Sequence, residues 1–200
     1  PFSDSMVLQR ELPVPVWGWA DPGEKVTVTF GDQSKTAEAG KDGRWEVKLE
    51  ALEASSKGQV LTAKGNNTVE LQDVLVGEVW ICSGQSNMEW PLRVSLNAQD
   101  EIAAADHPQI RLFNVPGHTT NPLPQKTCPG QWQVCEPKTV GGFSAVGYFF
   151  GRRLQSELKV PVGLVGANWG GTRIEPWTSP TGFHSVPELK KIADTVDAYD

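Results

Sequence analysis

Glu78-Val-Trp-Ile-Cys82, leading directly into Ser83-Gly-Gln-Ser-Asn87, decides how this sequence is read. A continuous apolar run ended by a glycine-containing turn is the pattern of a strand buried on both faces of a parallel sheet. A helix is expected from Asn87 or Met88. That arrangement puts the Ser86 hydroxyl at the carboxyl end of a parallel strand, where open α/β sheets bind ligands. A helix start there offers amide donors and partial positive charge, both suited to a developing oxyanion. A serine that merely caps the helix fits the same position, and the residues alone leave both roles open. The elbow Gly-x-Ser-x-Gly is not met, because Met88 stands where the second glycine belongs.

Downstream the pattern alternates. Gln109-Ile-Arg-Leu-Phe113 reads as a second strand. Residues 115–142 hold five Pro and four Gly and read as a long loop. Ser144 opens a helix whose Val146, Phe149, Phe150, Leu154 and Leu158 recur at three- and four-residue spacing, giving one apolar face. Val160 to Ala167 is a third strand, running into Asn168-Trp-Gly-Gly-Thr172. Strand and helix in alternation predict a parallel sheet with helices on its faces. Gly170-Gly171 follows a strand as Ser86 does. Glycine lets backbone approach a ligand closely, or simply makes a tight turn.

Upstream, residues 1–75 read as β structure. Val14–Trp19 ends at the turn Asp21-Pro-Gly. Lys25–Phe30 and Arg44–Leu49 alternate polar and apolar residues, as half-buried strands do. Val60–Lys64 and Thr68–Leu71 flank the turn Gly65-Asn-Asn67. Short strands at this spacing predict a small β-sandwich.

Composition narrows the function. The 200 residues carry 18 Lys plus Arg and 24 Asp plus Glu, a net charge of −6. There is no basic stripe for phosphates, so no nucleic-acid partner is expected. No apolar run is long enough for a membrane helix. Eight Trp stand against two Tyr, and flat apolar rings serve sugar surfaces as well as cores. Three Cys make no disulfide scaffold. Cys82 is expected to be buried, while Cys128 and Cys135 are read either as a pair or as two free thiols. No metal-ligand spacing is present. His107, His118 and His184 lack a neighbouring acid at a spacing that marks a catalytic pair. The chain opens at Pro1 rather than Met, which leaves any signal peptide out of view.

Three segments carry a family resemblance. Val76-Gly-Glu-Val-Trp-Ile-Cys-Ser-Gly-Gln-Ser-Asn-Met-Glu89 resembles the sialate O-acetylesterases, carbohydrate esterases of the SGNH (GDSL-like) superfamily. Phe2–Arg10 and Pro161–Trp177 extend the likeness over nearly the whole chain. The resemblance implies an α/β protein: a β-sandwich-like domain (1–75), then part of an SGNH-type three-layer α/β/α hydrolase domain (76–200). It implies an enzyme, a serine carboxylic-ester hydrolase that needs no cofactor and acts on O-acetylated sugars in a secreted, periplasmic or lysosomal-type compartment. Ser86 matches the nucleophile and its amide one oxyanion donor; Gly170 or Gly171 matches a second. Gln85, Asn87, Trp90, Arg173 and Trp177 are candidate substrate contacts, and Trp80 is expected in the sheet core.

The superfamily's later Gly-Glu-x-Asn and Asp-x-x-His segments, which supply a third donor and the base, have no match in this sequence. These 200 residues alone are therefore expected to be nearly inactive, and the sheet to be incomplete, with an open edge that favours self-association. An acetyl-xylan esterase on the same scaffold and a non-catalytic sugar-binding protein are the alternatives.

Overall fold

The computed structural model describes residues 1–117 and 125–198. Strands β1 (Val7–Gln9), β2 (Val14–Trp19), β3 (Lys25–Phe30), β4 (Gln33–Glu38), β5 (Arg44–Leu49) and β6 (Ser55–Lys64) come first. In β5 every second residue, Trp45, Val47 and Leu49, is buried, as its alternation requires. β2 and β5 pair antiparallel, Val16 opposite Val47, into a two-stranded sheet. Their inward residues share one core with Val26, Val28 and Phe30 of β3 and Leu61 of β6. This is the expected β-sandwich-like packing, with one layer only two strands wide.

Strand β7 (Thr68–Gly84) is 17 residues long. Its first part pairs antiparallel with β6, from Thr68 opposite Lys64 to Val76 opposite Ser55. Leu75 to Gly77 pair parallel with β1. Glu78 to Gly84 pair parallel with a later strand, β10 (Val162–Asn168). The strand thus runs unbroken across residues 75 and 76, where the sequence pattern changes.

Beyond β7 lie α1 (Ser86–Glu89), α2 (Ala98–Ala103), β8 (His107–Asn114), β9 (Trp132–Cys135), α3 (Pro137–Val140), α4 (Ala145–Leu158), β10 (Val162–Asn168), α5 (Pro180–His184) and α6 (Lys190–Asp197). β10 lies parallel between β7 and β8, as the strand–helix alternation predicts. The large sheet runs β4-β3-β6-β7-β10-β8-β9, with β1 beside β7. The stretch read as a long loop contains β9, which adds antiparallel to β8, and α3, which has a capping box between Glu136 and Thr139.

Three expectations about burial are corrected. Ser144 does cap α4, its hydroxyl accepting from Gly147 N–H at 3.1 Å. Yet the fully buried residues of α4 are Ala145, Gly147, Tyr148 and Gly151, while Val146, Phe150 and Leu158 are exposed. Small residues form this seam because the sheet comes close. A Cβ on Gly151 would stand 2.6 Å from a Leu164 methyl, and one on Gly147 3.0 Å from the Cys82 thiol. The run 78–82 is not buried on both faces: Cys82 is packed under α4 and Val79 against the first core, while Ile81 is 72% exposed. Trp80 is 43% exposed, its ring edge-on to Phe150 at 5.1 Å rather than inside the core.

A buried cation ties the parts together. Arg111 on β8 donates to Asp73 Oδ2 (2.6 Å) and to the carbonyls of Pro108 (2.9 Å) and Ser5 (3.1 Å). Cys128 and Cys135 are free thiols. Cys128 packs against the first core and Cys135 lies within the second, and burial pushes the Cys135 thiol up to about 12.

Where β1, β7 and the Pro161 carbonyl converge there is room only for glycine, since a Cβ on Gly77 would run into Pro161 O. Gly77→Ala is expected to cost about 1–3 kcal/mol of stability, the usual range for overpacking. Denaturant unfolding measures it; an unchanged midpoint contradicts the close approach.

Candidate active site

β7 delivers Ser86. The strand ends at Gly84, whose φ of +147° is open chiefly to glycine. Gln85 then caps α1, its carbonyl accepting from the N–H groups of Met88 and Glu89 at 2.9 Å each. Ser86 is the first helical residue, so the helix starts earlier than expected and Ser86 is not its cap. First-turn N–H groups have no intrahelical acceptor, which leaves those of Ser86 and Asn87 available.

The register of β10 supplies the other wall. Asn168 lies opposite Gly84, and Trp169 N–H donates to Gly84 O at 3.0 Å. Gly170 is thereby brought against Ser86: a Cβ built on it would lie 3.4 Å from both Ser86 Cα and Ser86 Oγ, and would run into Glu89 Oε2. The Gly170 N–H donates to Glu89 Oε2 at 2.7 Å. Gly171 has φ of +74° and open space where a side chain would stand.

Ser86 opens into a cavity of about 450 Å³. Glu89, Trp90, Arg93, Asn114 and Asn168 share its lining. Trp90 is 55% exposed. An adjoining depression of about 350 Å³ holds Gln85, Arg173 and Trp177. The Trp177 indole donates to Thr172 Oγ1 at 2.9 Å, and that hydroxyl donates to Trp169 O at 2.7 Å, so the ring is held from the β10 turn. Asn87 lines neither hollow.

Glu89, Arg93 and Asn114 were not singled out from the sequence. Glu89 stands three residues after Ser86, on the same side of the helical turn. Asn114 closes β8 at the carboxyl end of a parallel strand, beside Gly166. Both signals were present in the sequence, whereas Arg93 carries none.

Neither described histidine lines this cavity. His107 opens β8, at the end opposite Asn114, with Nε2 3.4 Å from the Tyr148 hydroxyl. Burial and then the Arg152 charge push its pKa below the usual histidine range. His184 Nε2 sits 3.0 Å from Asp197 Oδ1, an exposed pair between α5 and α6 that the sequence spacing did not reveal. His118 lies outside the described residues. Among the described residues no group of three His, Cys, Asp or Glu stands together to hold a metal.

A strand-end serine, a glycine backbone against its hydroxyl and a polar cavity set the chain beside known proteins. The family profile described as carbohydrate esterase, sialic acid-specific acetylesterase, matches residues 76–197. The sialate O-acetylesterase of Homo sapiens is 34% identical over an alignment covering 89% of this chain and 38% of that protein. That of Mus musculus is 33% identical, covering 87% and 36%. The crystal structure of a carbohydrate acetylesterase from Xanthomonas citri superposes with a TM-score of 0.86 at 38% identity, covering 94% of this chain and 43% of that one. The chain spans less than half the length of these relatives. With most of its length from β7 onward matched, it belongs to the carbohydrate esterase family of sialic acid-specific acetylesterases.

Proposed function

We propose that this chain carries the nucleophile side of a serine esterase site that removes O-acetyl groups from sialic acids or related sugars. The observation that carries the reading is Ser86 at the first helical position, with the Gly170 backbone against its hydroxyl at the cavity wall. Ser86 Oγ attacks the acetyl carbonyl carbon and loses its proton to a base. The resulting oxyanion takes hydrogen bonds from the Ser86 N–H and from the glycine turn after β10. Collapse expels the sugar hydroxyl, which is reprotonated, and leaves acetyl-Ser86 for water to hydrolyse.

Glu89 sets a condition on this scheme, because its carboxylate occupies the Gly170 N–H. For Gly170 to serve as donor, that carboxylate yields the N–H as the oxyanion forms; Gly171 is the other donor within the turn. Arg93 in the cavity and Arg173 in the depression beside it suit a carboxylated sugar. This favours sialic acids over neutral xylan. Gln85, Trp90 and Trp177 complete the sugar contacts in this reading. No helix among the described residues is long and apolar enough to cross a membrane; a secreted, periplasmic or lysosomal-type setting is part of the proposal.

No histidine among the described residues lies at the cavity to act as the base. Loss of a general base costs about 10²–10⁴-fold, so acetate release by the chain alone is expected to be slow. Free imidazole stands in for the base. Release from an O-acetylated sialic acid is expected to rise with imidazole in the native chain and not in Ser86→Ala. An equal imidazole response in both proteins contradicts the assignment of Ser86.

Gly170→Ala pushes Glu89 aside and crowds Ser86 Oγ. It is expected to lower the imidazole-assisted rate about 10²-fold, the usual cost of a misplaced reacting group, with an unchanged melting temperature. Full activity in that variant removes Gly170 from the site.

A further inference from the structure

The first layer of the protein carries a second hollow that the esterase reading does not use. β2 points Val14 and Val16 into the core, so Trp17 and Trp19 face outward. Phe2 covers Trp17, ring centroids 4.7 Å apart. Trp19 is left 41% exposed and lines a depression of about 480 Å³ with Ala20, Asp21, Glu24, Asn66 and Asn67.

The floor of this depression is fixed. Glu24 takes the Asn66 N–H on Oε1 (2.6 Å) and the Asp21 N–H on Oε2 (3.1 Å), joining two separate turns. The backbone closes the first turn through Glu24 N–H to Asp21 O (2.9 Å) and the second through Gly65 N–H to Asn67 O (2.8 Å). Gly65 is the residue that fits there, since a Cβ on it would run into Glu24 Oε1. The side chains of Asp21, Asn66 and Asn67 have no hydrogen-bond partner among the described residues. A rigid floor, an uncovered indole and three unengaged polar groups make a preorganised surface of mixed character.

We propose that this depression is a carbohydrate-binding site distinct from the Ser86 cavity, and that it takes a neutral pyranose. The indole face stacks on the C–H face of the sugar ring. The asparagine amides both donate and accept, and the Asp21 carboxylate accepts, which is the set that hydroxyl groups need. The lining holds the carboxylates of Asp21 and Glu24 and no cation, and Arg44, opposite Trp19 on β5, is paired with Glu46, so a neutral sugar is favoured over a carboxylated one. The two sites thus differ in charge: the Ser86 cavity has Arg93 beside Glu89, whereas the Trp19 depression has the carboxylates of Asp21 and Glu24.

Their separation follows from one strand. Asn67 directly precedes β7 and Gln85 directly follows it. The 17 residues of β7 lie between them, and the two hollows share no lining residue.

The test is a titration of the whole chain with the neutral methyl glycosides of glucose, galactose and mannose, and separately with N-acetylneuraminic acid. The readout is the Trp19 indole N–H resonance in NMR, assigned by its loss in Trp19→Phe. At least one neutral glycoside is expected to shift it in the millimolar range, and N-acetylneuraminic acid to leave it unmoved. Trp19→Ala and Asn66→Ala are expected to weaken binding at least tenfold, read from other resonances of the depression, with melting temperatures unchanged. The proposal is overturned if none of the three glycosides moves the resonance, if the acidic sugar alone does, or if protein concentration alone moves it, which would make the surface a contact between copies. Ser86→Ala is expected to bind the glycoside as the native chain does, whatever becomes of the esterase reading.

Discussion

The backbone hydrogen bonding of β7 is the constraint from which the rest of the molecule follows. Within 17 residues the strand pairs with β6, then β1, then β10. Each pairing satisfies N–H and C=O groups that would be costly to bury unpaired, so the partners take their places from one continuous backbone. Val74, Leu75 and Val76 at its middle are almost fully buried. Val74 and Val76 belong to the core that β2, β3 and β5 share, while Cys82 further along belongs to the core under α4. Arg111 adds a cross-tie, its guanidinium neutralised by Asp73 and capped by carbonyls. A buried cation left without those partners would cost several kcal/mol.

The site inherits its precision from that register. Asn168 opposite Gly84 fixes where the chain leaves β10 relative to where it leaves β7, and so brings Gly170 against Ser86. Glycine is needed at Gly84 for its dihedral and at Gly170 for clearance. Glu89 closes the arrangement by holding the Gly170 N–H. The proposed catalytic scheme therefore rests on backbone placement more than on side-chain choice, with the Glu89 carboxylate on the Gly170 N–H.

Much of this was legible in the residues. Alternation in Lys25–Phe30 and Arg44–Leu49 gave those strands with their bounds, and Ser144 gave the start of α4. The parallel pairing followed from strand and helix in turn. What escaped was whatever depends on distant partners. The polar strand β4 is held by its neighbour β3 rather than by an apolar pattern of its own. β9 exists because the edge of β8 accepts it. The buried face of α4 was misjudged because glycines, which carry no hydrophobic signal, form the seam against Leu164 and Cys82. Ile81 was expected inside because an apolar run does not say which of its faces will be covered. At the site, the serine and the glycine pair announced themselves, whereas Arg93 joined them only through folding.

As one strand, β7 binds both layers and the site into a single cooperative unit. Native-state hydrogen exchange along β7 tests it most directly. The hydrogen-bonded amides between Thr68 and Val74 and those between Glu78 and Gly84 are predicted to exchange with one common opening free energy and one common denaturant dependence, as members of a single cooperative unit do. Exchange of the 78–84 amides through a separate, lower-energy opening, with 68–74 still protected, would contradict the account.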